Sequence, residues 1–188
     1  MSEENYDVED HERLRDRVAN KADSALWTYK AHFGAADWYK KFSKRANWAT
    51  TAIAGVLTIS LIWEVVPNYV LVILAILTAS ISGYKTASKP EKTAYDHYKA
   101  ADAYQKLYID FIDFIYIKLS DDTVSFDEKK ERFWELSERH QSLNEEMPNM
   151  TSKWYKQLDE DEIRKQAETT EEMKEALTGC AKRKEDEK

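Results

Sequence analysis

The sequence predicts an all-α membrane protein, a two-helix transmembrane hairpin flanked by long cytoplasmic helices. Of the 188 residues, 34% are charged, yet the segment from Ala46 to Tyr84 carries only one charged side chain, Glu64. The chain also contains only four glycines and three prolines, so few positions interrupt a helix. No segment shows the alternation of apolar and polar residues that is typical of a strand.

Two uncharged stretches, 46–63 and 65–84, are long enough to cross a bilayer. As helices they would measure about 27 and 30 Å, close to the thickness of the hydrocarbon core. The alternative is a buried helical pair in a soluble protein, which would require the polar remainder of the chain to cover both helices. Between the spans, the segment 64–68 contains Pro67, which cannot continue the first helix. A tight turn is therefore expected there.

The flanks of the hairpin predict its interfaces and its orientation. Aromatic residues that suit a membrane–water interface bracket both spans: Trp48, Trp63, Tyr69 and Tyr84. Basic residues flank the hairpin and are missing from the turn: Lys40, Lys41, Lys44, Arg45, Lys85, Lys89 and Lys92. The positive-inside rule therefore predicts a multi-pass protein of the cell (inner) membrane, with both termini cytoplasmic and the turn outside. Because residues 1–20 are charged, no cleavable signal peptide is expected.

Small and hydroxyl-bearing residues recur at helical spacing in both spans. They are Thr51, Gly55 and Thr58 in the first, and Ala75, Thr78, Ala79 and Ser82 in the second. We call these seven residues the small-residue stripe. One interpretation is close helix packing, with hydroxyls bonded to neighbouring backbone. The other is the lining of a pore, which one hairpin cannot enclose, so a pore implies a homo-oligomer. No residue titrates within the spans, which argues against a proton relay.

The cytoplasmic regions are predicted to be helical on both sides of the hairpin. An N-terminal cytoplasmic helix occupies 1–45, with an apolar face formed by Leu14, Val18, Ala22, Ala25, Tyr29, Phe33 and Ala36. A second stripe in the half nearest the membrane either faces protein or rests against lipid headgroups, and we interpret it as core: Trp27, Ala31, Gly34, Trp38 and Phe42.

The C-terminal helical region, 85–178, is predicted to contain three helices. The first runs over 91–119, after the break at Pro90. Ser125 and Glu128 form a capping box that starts the second, which ends near Met147. The third runs over 153–166 and on to Leu177, with Trp154 and Leu158 facing inward. Residues 179–188 are expected to form a disordered charged tail.

The residues that usually carry chemistry are scattered. The net charge of −7 argues against nucleic acid as a partner, and the single Cys180 excludes a disulfide within the chain. The four histidines, His11, His32, His97 and His140, have no metal-binding spacing. Asp110 and Asp113 are more typical of solvated acids than of a shared proton or cation site. We therefore expect no enzyme activity, no metal and no cofactor.

Three groups of residues, taken together in their order, resemble a known family. The run Ala36-Asp37-Trp38-Tyr39 leads into the membrane. The pattern A-x-x-H-x-x-A-x-x-x-Y-x-x-L follows it, formed by Ala94, His97, Ala100, Tyr104 and Leu107. An acidic helix ends at a proline and carries Glu135, Leu136, Arg139, Leu143, Asn144 and Pro148. Over roughly 20–165, the chain is similar to the SLATT domains, two-transmembrane effectors associated with SMODS nucleotidyltransferases and SLOG sensor proteins.

The resemblance implies a membrane effector of a prokaryotic conflict or antiviral defence system. Such an effector would oligomerise or open on a signal of infection and perturb the lipid bilayer. The signal would come from a partner sensor or from the nucleotide messenger of a nucleotidyltransferase. The alternative is a passive membrane anchor or scaffold that recruits a cytoplasmic partner. The family has no catalytic residues to carry over.

Overall fold

The computed structural model describes residues 3–63, 66–159 and 163, and every regular element among them is a helix. The five α-helices are α1 (Glu3–Trp63), α2 (Asn68–Ser88), α3 (Pro90–Asp113), α4 (Phe126–Glu146) and α5 (Ser152–Tyr155), and a π-helix, Phe114–Leu119, continues α3. The chain forms two compact units. The paired-helix unit is Gly34–His97, and the bundle unit combines the described residues of Met1–Phe33 with those of Tyr98–Lys188.

Helix α1 continues without interruption through the predicted start of the first span. It is 61 residues long, and no boundary separates residues 3–45 from the apolar stretch that follows. The reason is that a change from polar to apolar side chains alters the surface of a helix, while its backbone bonds stay within the helix. No glycine or proline lies near Ala46 to end it.

Helix α2 begins at Asn68, later than the predicted start of the second span at 65. Pro67 has extended backbone angles, and its carbonyl accepts a hydrogen bond from Val70 N at 2.9 Å. Proline also disfavours the helical conformation of the residue before it, which explains why Val66 is not helical. Val65 and Glu64 lie outside the described residues.

The bundle unit contains one apolar core built from α1, α3 and α4. The predicted apolar face of α1 is confirmed, and Ala36, which belongs to the paired-helix unit, is buried. In the bundle unit, this face buries Leu14, Val18, Ala22, Ala25 and Tyr29, and Phe33 is half-buried. Its partners on the other helices are Tyr104, Leu107, Tyr108, Phe111, Phe114, Ile115, Phe133, Leu136 and Leu143. The first helix of the C-terminal region ends at Leu119, as predicted.

The start and end of α4 are as the sequence predicts. Ser125 Oγ accepts a hydrogen bond from Glu128 N, and Ser125 N donates to the Glu128 carboxylate, each at 3.3 Å. These two bonds form the capping box. At the other end, Met147 N donates to Leu143 O at 3.0 Å, and Met147 itself is extended before Pro148.

The prediction of one long helix over 153–166 is wrong, because the residues from Lys156 to Asp159 are not helical. Helix α5 covers only Ser152–Tyr155, and the residues after it form a turn. Gln157 N and Leu158 N bond to carbonyls three residues back, a tightening that ends a helix. Trp154 is buried and Leu158 half-buried, as predicted. Residues 164–188, with the predicted continuation to Leu177 and the charged tail, lie outside the described residues.

Candidate membrane-spanning site

The two helices of the paired-helix unit are shielded from solvent along one face each. On α1 the less exposed positions are Thr50, Ile53, Leu57 and Ser60, and on α2 they are Leu71, Leu74, Thr78 and Ile81. Both sets follow alternating steps of three and four residues, the spacing of left-handed helix pairs. The α1–α2 pair is therefore held by its own heptad-like face.

Away from this face, large apolar side chains are exposed. No residue of α2 is buried. Exposed side chains include Val56, Ile59, Ile62, Val72, Ile73, Ile76 and Leu77, with between 43% and 67% of each accessible. A monomeric soluble protein rarely exposes a contiguous patch of this kind. The surface has the character of one that contacts lipid.

One helical stretch is both long enough and apolar enough to cross a membrane. Among the described residues, Asn68–Leu119, which comprises α2, α3 and the π-helix, contains a window with a mean hydropathy of 1.7, none of it buried. It is the one candidate membrane span found in that part of the chain. The predicted first span, 46–63, forms the end of α1, and the side chain of its Leu61 lies outside the described residues.

The small-residue stripe lies mostly on the exposed surface. Thr78 faces the other helix, while the other six residues are exposed: Thr51, Gly55, Thr58, Ala75, Ala79 and Ser82. With about 100° between successive residues, the α1 part of the stripe points away from the heptad-like face. A Cβ added at Gly55 would meet no atom within 4 Å, so no helix in the described part of the chain approaches it closely.

Two of the three threonine hydroxyls of the stripe already have partners in their own helices. Thr58 Oγ1 donates to Ala54 O, and Thr78 Oγ1 donates to Leu74 O, each at 2.9 Å. A bond to the carbonyl four residues back satisfies the hydroxyl proton in an apolar medium. The hydroxyl oxygen still has accepting capacity for a further partner.

Aromatic rings are exposed at both ends of the pair. The four predicted interface residues, Trp48, Trp63, Tyr69 and Tyr84, are 68%, 68%, 69% and 58% exposed. The core interpretation of the second α1 stripe is wrong for Gly34 and Trp38, which are exposed, although Ala31 is buried. The Trp38 ring stacks on Phe42 instead, with 5.6 Å between centroids.

A polar cluster joins α1, α2 and the start of α3 at the end of the pair next to Lys85. Ser43 Oγ, which is buried, donates to Glu91 Oε1 at 2.7 Å. Lys85 Nζ donates to Asn47 Oδ1 and lies 3.9 Å from Glu91 Oε1. The hydrogen bond from Ser43, followed by the charge of Lys85, lowers the pKa of the Glu91 carboxyl. The sequence pattern does not reveal this cluster, because its members lie up to 48 residues apart and share no periodicity.

Rings next to this cluster also cross between helices. Phe42 meets Tyr84 edge to face at 5.7 Å, and Tyr39 stacks on His97 at 5.8 Å. Burial lowers the pKa of His97, and the charge of Asp96 opposes that shift. The imidazole is buried and stacked, so it serves as a packing ring in this unit.

Comparison with known families gives one match. The model of the SMODS and SLOG-associating 2TM effector domain family 4 (SLATT) matches residues 14–175, most of the chain. This chain belongs to the SLATT family. The predicted resemblance is thereby confirmed, and the family description is that of a two-transmembrane effector. No curated protein and no solved structure matches the chain.

The residues that carry the SLATT resemblance are mainly packing residues. Ala94, His97, Ala100, Tyr104 and Leu107 are all buried along one face of α3. SLATT effector domains are not known as enzymes. Within the described residues, no group of three or more His, Cys, Asp or Glu side chains is placed to hold a metal ion.

Proposed function

We propose that this SLATT chain is a membrane effector of a prokaryotic conflict system that assembles into a homo-oligomer and permeabilises the inner membrane. In this proposal, the α1–α2 pair crosses the bilayer as a hairpin with both termini cytoplasmic. The observation that carries it is the division of the pair into two surfaces. One face holds the two helices together, and six of the seven residues of the small-residue stripe are left exposed.

The composition of that exposed stripe favours contacts with further helices over contacts with lipid alone. Glycine, alanine and hydroxyl residues allow helix backbones to approach closely in a membrane, where apolar bulk gives no preference for protein over lipid. Gly55 has open space around it in the single chain. A second copy would fill that space and would bring hydroxyl oxygens of several hairpins together.

The trigger is expected to come from a partner, either a sensor protein or the nucleotide messenger of a nucleotidyltransferase. The family description names association with SMODS and SLOG, which supports this expectation. In the bundle unit, exposed apolar side chains remain for such a partner, among them Ile117 and Trp134, 66% and 52% exposed.

A matched pair of serine variants tests the assembly. Ser82 belongs to the stripe, whereas Ser80, also exposed, points to a different side of α2. We expect Ser82→Leu to abolish depolarisation of cells that express the full chain with its genomic neighbours, as measured with a membrane-potential dye. Ser80→Leu, with the same added bulk, should depolarise cells like the wild type.

Gly55 in the stripe and Gly83 outside it give an independent test. Gly55→Leu should block assembly. A Cβ added at Gly83 also meets no atom within 4 Å, but Gly83 lies outside the stripe, so Gly83→Leu should leave assembly intact. The mass of the detergent-solubilised protein, measured by light scattering, gives the oligomeric state directly. A wild-type chain that is strictly monomeric and never depolarises cells would contradict the proposal and would favour the passive anchor.

A further inference from the structure

A cleft of about 490 Å³ lies in the paired-helix unit where α2 meets α3. Its walls carry three lysines, Lys85, Lys89 and Lys92, and one carboxylate, Glu91. Most of the remaining lining consists of hydroxyl and amide side chains. Such a lining offers several hydrogen-bond donors to an anion.

The three ammonium groups are not equally neutralised. Lys85 is held by Asn47 Oδ1 and lies 3.9 Å from Glu91 Oε1. Neither Lys89 nor Lys92 forms an ion pair with a carboxylate of the described residues. Two cations therefore remain to attract an anion into the cleft.

The backbone around Lys89 adds to this positive character. Lys89 adopts left-handed angles, φ 44° and ψ 54°, in a position where glycine or asparagine is usual. The left-handed conformation costs lysine more backbone free energy than it costs glycine. Compared with glycine or asparagine, lysine adds a positively charged side chain at this position. Directly after it, the 24-residue helix α3 begins, and the N-terminus of a helix is a centre of partial positive charge.

The place of the cleft along the helices indicates the source of the anion. It lies where the apolar part of α2 ends, and its lining residue Lys85 directly follows the exposed interface residue Tyr84 in the sequence. If α2 crosses the bilayer as proposed above, this level is that of the inner-leaflet phosphates. Basic pockets between membrane helices on the cytoplasmic side are suited to lipid headgroups.

We propose that this cleft binds the phosphate of an anionic phospholipid headgroup, with Lys89 and Lys92 as the principal cations. The lipid would contact the end of α2 and the start of α3 together, and so would fix the α2–α3 junction to the inner leaflet. The proposal rests on the membrane crossing, and it does not require a pore.

Competition between two lipids tests the proposed phosphate site in the cleft. The full-length protein is placed in nanodiscs with equal phosphatidylglycerol and phosphatidylcholine and re-extracted, and the retained lipids are counted by native mass spectrometry. We expect the wild type to retain phosphatidylglycerol preferentially. Lys89→Gln with Lys92→Gln should reduce that preference by up to about thirtyfold, roughly fivefold for each lysine.

A charge-matched control separates the cleft from general attraction. Lys99→Gln with Lys106→Gln removes the same charge from exposed positions farther along α3, and should change the preference by less than about twofold. Lys89→Gly keeps the left-handed backbone and removes the ammonium group, so it should lose lipid without a loss of thermal stability.

Several results would overturn the proposal. Equal losses in the cleft pair and the control pair would show that net charge alone attracts the lipid. Displacement of phosphatidylglycerol by excess inorganic phosphate or ATP would assign the cleft to a soluble phosphate. Lost lipid preference with intact depolarisation would support the cleft independently of assembly, whereas failure of the wild type to insert would overturn both proposals.

Discussion

The hydroxyl of Tyr104 on α3 donates a hydrogen bond to Asn144 Oδ1 on α4, with 2.7 Å between the oxygens. The two residues lie 40 positions apart and belong to separate sequence groups that carry the SLATT resemblance. His32 stacks on the same tyrosine ring at 5.6 Å, and His140 meets it edge to face at 6.1 Å. Burial raises the pKa of Tyr104 to about 12, so the phenol remains a donor at all physiological pH values.

Removal of this hydroxyl should weaken the bundle unit modestly. Tyr104→Phe keeps the ring contacts and deletes one hydrogen bond, so we expect a loss of about 1 kcal/mol in the free energy of unfolding. For a chain of this size, that corresponds to a lowering of the melting temperature by about 2–4 °C. Tyr155→Phe is the control, because the Tyr155 hydroxyl makes an exposed 3.3 Å contact with Thr28 and takes no part in the Tyr104–Asn144 bond. Equal effects of the two variants would contradict a specific role for the Tyr104–Asn144 bond.

The core of the bundle unit should be sensitive to truncation at Leu107, which is completely buried. Leu107→Ala removes buried methyl groups and leaves a cavity, so we expect a loss of about 2–5 kcal/mol in stability. Ile109→Ala, two residues later on α3 at a position 48% exposed, should cost less than about 1 kcal/mol. Thermal unfolding in detergent, followed by circular dichroism, compares the two. Similar losses would show that α3 does not pack as described.

Acidification should destabilise the fold through two buried histidines. Burial lowers the pKa of His97 and of His140, and the charge of Lys21 lowers that of His140 further. The unfolded chain therefore binds more protons below the ordinary histidine value of about 6.5, and stability falls as the pH drops through that value. Above that pH, the contribution of the two histidines to stability no longer changes with pH.

The comparison of wild type with His97→Gln/His140→Gln isolates this effect. Melting temperatures at pH 5 and pH 7.5, at one ionic strength, should differ less in the variant than in the wild type. An unchanged difference would assign the acid sensitivity to other groups.

Much of the bundle unit could be predicted because its determinants are local. The apolar face of α1 follows helical spacing, and the capping box of α4 depends on Ser125 and Glu128, three residues apart. The early end of α5 could not be predicted in this way. Turn bonds after Trp154 end that helix, although the apolar spacing from Trp154 to Leu158 is equally compatible with a longer one.

The paired-helix unit shows a different limit of sequence reasoning. Small and hydroxyl residues marked a stripe, yet periodicity alone does not tell which side of a helix meets its neighbour. Thr78 faces the other helix and Ala75 does not, although they are adjacent on one face. The cluster of Ser43, Asn47 and Glu91 depends on the register of three helices, which only the fold provides.

The most direct test of the account is the topology of the α1–α2 pair, measured by thiol labelling in cells. Asn68→Cys places a thiol at the exposed start of α2, in a chain that also carries Cys180→Ser. We expect a membrane-impermeant maleimide to label this thiol in intact spheroplasts, and to label the native Cys180 of the wild type only after permeabilisation. Labelling of both thiols, or of neither, in intact spheroplasts would contradict a hairpin that crosses the membrane with both termini inside.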